Sequence, residues 1–152
     1  KGKFICYIPY YSYSGGCMIS LACDEIVMRK NAIIGPCDAQ KPMGSFSIYS
    51  VASIVDAVNY KKENREKISE EWLASSYDAK LCQERQKKYL EKLIKYNKFT
   101  EQIGNTIYDE FFSGKYNHDK TFSAQETKEL GVNVTIVEEM PNKIKNVISD
   151  IN

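Results

Sequence analysis

Ile8-Pro9-Tyr10-Tyr11-Ser12-Tyr13-Ser14-Gly15-Gly16-Cys17-Met18-Ile19-Ser20-Leu21-Ala22-Cys23-Asp24 joins a strand to a short apolar helix through a sharp turn. Before it, Phe4, Ile5, Cys6, Tyr7 and Ile8 form a β-prone apolar run that Pro9 closes. Two glycines follow Ser14, and Cys17, Met18, Ile19, Leu21 and Ala22 then predict a helix apolar on most sides. Ser14 is thereby expected at the mouth of a buried helix, where unpaired N–H groups and the positive dipole end favour developing negative charge. A hydroxyl needs a base to take its proton and donors to hold an oxyanion, and the Gly15 amide is a natural donor. The same residues also read as a plain N-cap serine followed by a glycine turn.

Ser14-Gly15-Gly16, then Ile19 to Met28, then Ile34-Gly35-Pro36-Cys37-Asp38-Ala39-Gln40 resemble the Clp protease/crotonase superfamily. Within it the sequence is most similar to the signal peptide peptidase A side, and there to the serine dehydrogenase proteinase family. A second patch agrees: Gly114 to Asp119, followed by Ser123-Ala124-Gln125-Glu126-Thr127-Lys128-Glu129-Leu130-Gly131-Val132. The resemblance implies an α/β fold, a ClpP/crotonase-like spiral of strand–helix units, with an added helical layer. It also implies that an earlier portion, with a glycine-rich loop giving a second oxyanion donor, precedes Lys1. The chain is then the C-terminal part of one ClpP/crotonase-like domain, residues 1–152.

Composition fits that reading. The 152 residues, 27% charged with a net charge of +1, give no reason to invoke nucleic acid or an anionic membrane. No apolar run reaches the length of a membrane span, so membrane association is expected only through a segment outside this sequence. Five cysteines (Cys6, Cys17, Cys23, Cys37 and Cys82) with no C-x-x-C pair argue against a disulfide framework or a zinc site. A reducing compartment is the simplest setting: cytoplasmic, or membrane-associated and facing it. No metal or organic cofactor is called for. Cys17 as a nucleophile has no nearby histidine to support it.

Further along, Glu25–Met28 and Ala32–Ile34 are expected to be extended, and Lys41-Pro42-Met43-Gly44 to turn. Ser45 to Ile103 holds neither glycine nor proline, which predicts long helices over about 49–62 and 70–96. In the second, Leu73, Tyr77 and Leu81 mark one apolar stripe, continued by Tyr89, Leu90, Leu93 and Tyr96. Thr100 is positioned to cap a helix that Gly114 ends, and Ser123 with Glu126 forms a capping box. Val132 to Val137 reads as a strand, and Pro141 opens a last helix with Ile144, Val147, Ile148 and Ile151 on one side.

The base that serves Ser14 is open at this level. The Clp branch places a histidine on the strand after the nucleophile helix, but Ala32-Ile33-Ile34-Gly35-Pro36 has none. The signal peptide peptidase A branch uses a lysine neutralised by burial. Lys61, Lys62, Lys67 and Lys80 are candidates by position, and Lys80 stands out because its helix is expected to be apolar. His118, the single histidine, is the alternative, with Asp119 as its orienting carboxylate. The resulting expectation is a serine peptidase acting on peptide or protein substrates and assembling as a homo-oligomer. A non-catalytic oligomerising scaffold of the same fold is the competing expectation.

Overall fold

The computed structural model describes residues 2–97 and 99–150. The chain begins with β1 (Ile5–Ile8), β2 (Tyr11–Ser12), α1 (Gly15–Leu21), β3 (Glu25–Arg29) and β4 (Ile33–Ile34). It continues with β5 (Gln40–Met43), β6 (Ser47–Ser50), α2 (Val51–Glu63), α3 (Glu70–Asn97) and α4 (Glu101–Ile107), the last extended by a π-helical turn at Tyr108–Phe112. The final elements are β7 (Phe122–Ser123), α5 (Ala124–Glu129), β8 (Val134–Val137) and α6 (Asn142–Ser149). These fall into two compact units, one of residues 1–35 and 120–152, the other of residues 36–119. The architecture is α/β, as expected.

In the first unit, β1, β3 and β8 form an all-parallel sheet with β3 central. Parallel strands covered on both faces need consecutive apolar residues rather than alternation. Ile26, Val27 and Met28 are all buried in the central strand, which meets that need. A smaller sheet sets β2 parallel to β4 and β4 antiparallel to β7. The two-residue strand β2 lies beyond the Pro9 that closes the first run, and is held by Ile33 N–H on the Tyr10 carbonyl and Gly35 N–H on the Ser12 carbonyl, each at 2.9 Å. Ser123 and Glu126 make the expected capping box at α5, Ser123 N–H donating to the Glu126 carboxylate and Glu126 N–H to the Ser123 hydroxyl. Pro141 precedes α6 at its cap position, and Ile151 lies outside the described residues.

The second unit departs from expectation in two places. Lys41, Pro42 and Met43 are strand rather than turn: β5 pairs antiparallel with β6, and the reversal falls at residues 44–46, with Gly44 at φ 65°. Pro42 is tolerated because a two-stranded ribbon leaves each strand one unpaired edge. The upstream half of α3 also packs differently. Leu73 and Tyr77 are exposed, whereas Ser75, Ser76 and Ala79 are buried. Small side chains let helices approach closely, and Ala79 joins Met43, Val51, Ile54 and Val55 in one apolar cluster, with Trp72 and Cys82 at its border. At the end of α4 the wider π turn, closed by Ser113 N–H on the Tyr108 carbonyl at 2.9 Å, brings the adjacent Phe111 and Phe112 both into the core.

The α5 cap and the Phe111 core separate two scales of stability. Ser123→Ala is expected to cost about 1 kcal/mol, and Phe111→Ala about 3–5 kcal/mol, as read from denaturant unfolding. The bonds from Ser123 hold the Glu126 carboxyl below the ordinary glutamate range. A depressed acid contributes stability that is full above its unfolded value and lost as pH falls through its folded value. Ser123→Ala keeps the backbone donor to Glu126, so it is the Glu126→Gln chain whose acid unfolding should start from a lower plateau and lose less between neutral pH and pH values below that range.

Candidate active site

The turn at Tyr13–Gly16 closes with Gly16 N–H on the Tyr13 carbonyl at 2.8 Å. Ser14 occupies its first corner with φ 50° and ψ −118°, the dihedrals of a type II′ turn at a position that glycine dominates. Among the described non-glycine residues, Ser14 and Arg65 have positive φ. Arg65 is accounted for by the end of α2, where Glu66 N–H bonds the Lys61 carbonyl and Arg65 N–H the Lys62 carbonyl in a Schellman arrangement. Ser14 ends no helix. Its backbone carries strain on the order of 1–3 kcal/mol that the surroundings must hold in place.

Several contacts hold it. The Tyr13 ring lies so close over Gly35 that a Cβ there would stand 2.0 Å from Tyr13 Cδ1. Only glycine at position 35 lets that ring settle, and the ring fixes the residue before Ser14. On the other side, the buried Ser20 hydroxyl donates to the Gly16 carbonyl at 2.9 Å and pairs with the Ser12 hydroxyl at 3.0 Å. Strand β2 and helix α1 are thus tied together across the turn. Ser14 itself makes no side-chain cap bond to α1 and is exposed, so the N-cap reading gives no account of its hydroxyl. The space a Gly15 Cβ would occupy is open.

The thiols are not competitors. Cys17 is fully buried, and the Cys23 thiol is pushed up to about 11 by burial, with the neighbouring Cys6 adding to it. None of the five cysteines is in a disulfide among the described residues.

In the second unit, His118 and Asp38 form a close pair. A carboxylate only accepts, so His118 Nδ1–H donates to Asp38 Oδ1, at 2.8 Å. The Asp38 side chain is only 2% exposed, and its second oxygen accepts from Gln40 Nε2 at 2.5 Å. The imidazole keeps some exposure and borders a cavity of about 460 Å³ lined also by Gln40, Tyr49, Ser50, Ser53 and Asn117. The carboxylate on the ring therefore comes from Asp38, not from Asp119 as the sequence suggested. Adjacent residues in a turn point their side chains apart, and Asp119 is exposed. Lys80 is exposed on α3, as are Lys61, Lys62 and Lys67 in and after α2, so the burial expected to neutralise Lys80 is not present in this chain.

The family model of ClpP-like SDH-type serine proteinases matches residues 1–150. The chain belongs to that family. Among its relatives, the uncharacterized protein MJ1495 of Methanocaldococcus jannaschii is 34% identical over 148 residues, covering 97% of this chain and 47% of the relative. The uncharacterized protein MJ0137 of the same organism is 33% identical over 127 residues, 84% of this chain and 42% of the relative. The chain thus spans somewhat under half the length of these curated relatives. No solved structure matches it. Among the described residues, no helix is long and apolar enough to cross a membrane.

Sequence reasoning singled out Ser14, Gly15 and His118 as candidates but gave Asp38, the partner of His118 in the structure, no role, although it stood inside the quoted Gly35-Pro36-Cys37-Asp38 motif. Its separation from His118 by 80 residues left no local pattern to read. A testable consequence of the strained corner concerns stability. Ser14→Gly should be more stable than Ser14→Ala by about 1 kcal/mol, because only glycine adopts φ 50° without strain. Paired denaturant melts measure the difference, and equal stabilities would mean the corner carries no strain.

Proposed function

We propose that this serine proteinase family member hydrolyses peptide bonds with Ser14 as the nucleophile. The observation that carries the reading is the strained, exposed serine at a strand-to-helix turn that is fastened on both sides. Strain at a residue whose side chain does no structural work is a signature of a site held for chemistry. Ser14 Oγ attacks the substrate carbonyl while its proton passes to a base. The peptide C–N bond then breaks as that proton reaches the leaving amine, and water hydrolyses the ester. The Gly15 N–H serves as one oxyanion donor.

For the base, His118 is preferred over Lys80. A lysine serves as base only where burial strips its charge, and Lys80 is exposed. Both compact units belong, on this reading, to a single domain of the ClpP/crotonase spiral. Support comes from the family match running across both units. Substrates are extended peptides or unfolded protein segments. Copies associate through exposed apolar side chains such as Leu73, Tyr77 and Tyr96 on α3.

A fluorophosphonate probe on the full-length protein tests the reading. Adduct mass is expected on the peptide carrying Ser14 and is expected to vanish in Ser14→Ala. His118→Gln should slow labelling by about 10²–10⁴-fold, and a comparable loss in Lys80→Met instead would move the role to the lysine. No labelling of the wild type would leave a scaffold of the same fold.

A further inference from the structure

We infer that the carboxyl edge of the parallel sheet carries a binding site of its own, shaped to take a carboxylate on an apolar body. The inference stands apart from the hydrolase reading. Every residue it uses lies in the first compact unit, and none takes part in the chemistry proposed for Ser14. Strands β1, β3 and β8 run in one direction, so the segments leaving their carboxyl ends gather along one edge. Crevices at that edge are where open α/β sheets bind ligands. Here Pro9 and Tyr10 follow β1, Arg29 ends β3, and Glu139 and Met140 follow β8. With Lys145 and Ile148 of α6 they line a cavity of about 380 Å³, within the range of small-ligand sites.

Arg29 supplies the recognition. Its guanidinium lies over the Tyr10 ring, 5.9 Å from the centroid, and its N–H groups reach no acceptor among the described residues. Donors in a planar fork match two carboxylate oxygens side by side, and stacking on a ring leaves the edge of the fork open. Glu139, the acid of the cavity, does not fill that place, because its carboxylate pairs with Lys145. That contact holds the Glu139 carboxyl below the ordinary glutamate range, so it is ionised and matched by the ammonium at neutral pH. Two cations thus face one carboxylate, and the cavity keeps an excess of positive charge. Lys30 and Glu138, on the same two segments, pair with each other at 3.1 Å and leave that balance unchanged.

The other walls are apolar, which selects the body of the ligand. Met140 is buried, Ile148 and Pro9 are half-buried, and the Tyr10 ring gives a flat face. These walls are fastened at their backbones. The Tyr10 carbonyl accepts Ile33 N–H at 2.9 Å and the Arg29 carbonyl accepts Ala32 N–H at 2.8 Å. At the start of α6 the Pro141 carbonyl accepts from both Ile144 N–H and Lys145 N–H. A preformed crevice with an open fork against apolar walls favours an amphiphilic carboxylate over a bare inorganic anion. A small organic acid and the carboxyl terminus of a peptide with an apolar last side chain both present that chemistry.

Calorimetry on the full-length protein tests the inference with hydrocinnamate, acetyl-alanyl-phenylalanine and the amide of each. At least one acid should bind saturably, and about tenfold or more tightly than its own amide. Tighter binding of the peptide acid points to peptide ends as the source, and tighter binding of hydrocinnamate to small organic acids; either upholds the site. Arg29→Gln should erase the difference between acid and amide. Arg29→Lys, which keeps the charge without the fork, should lose about tenfold. Ile148→Ser should weaken acid and amide alike. Should Arg29→Gln fail to fold, ¹H–¹⁵N shifts of the wild type on adding hydrocinnamate serve instead, expected to be largest at Tyr10, Arg29 and Met140. No saturable binding of either acid, equal binding of acid and amide, or acid binding that Arg29→Gln leaves at wild-type strength overturns the inference. Shifts confined to residues away from this cavity overturn it as well.

Discussion

The turn from Tyr13 to Gly16 depends on a backbone conformation that serine does not choose for itself. At φ 50° and ψ −118°, the Cβ of Ser14 is crowded against its own backbone. Relaxation is prevented by two contacts of different kinds, the Tyr13 ring settled on Gly35 and the Ser20 hydroxyl bridging Gly16 and Ser12. One is steric and tolerates no side chain at position 35. The other is a buried hydrogen-bond pair whose loss would leave polar groups unsatisfied. The small sheet of β2, β4 and β7, with strands of two residues each, carries Ser12 at the end of β2 and sets Gly35 just beyond β4. That strain is the reason, internal to this chain, for proposing Ser14 as the nucleophile.

The second unit uses a different economy. Its hairpin, helices and π turn surround a carboxylate that is almost wholly removed from water. Burying such a group costs several kcal/mol per ion unless donors surround it, and the donors here are an imidazole and an amide. The π turn contributes indirectly. By carrying both Phe111 and Phe112 into the core, it sets the Phe111 carbonyl where Cys37 N–H can reach it. Packing and polar satisfaction are therefore one arrangement in this region.

Where local chemistry governs, the sequence was readable. Thr100 caps α4 and Ser123 with Glu126 caps α5, because a cap needs only residues three apart. The parallel strand β3 was legible as an unbroken apolar run, and the turn at Ser14-Gly15-Gly16 from its glycines. The α3 stripe failed for a physical reason: Leu73 and Tyr77 have the right spacing, but close helix packing favoured Ser75, Ser76 and Ala79. Likewise the glycine-free stretch hid β6, since strand pairing with β5 outweighed helical preference from Ser47 to Ser50.

By itself, then, the amino-acid sequence determined the α/β class, the caps, the nucleophile candidate and the single imidazole, all of which follow from neighbours along the chain. Tertiary structure alone decided that Ser14 is strained, that Gly35 must be glycine, and that Asp38 rather than Asp119 holds His118. Those facts depend on groups brought together from distant positions. Neither propensity nor spacing encodes which ring lies over which glycine, or which carboxylate a fold buries beside a histidine.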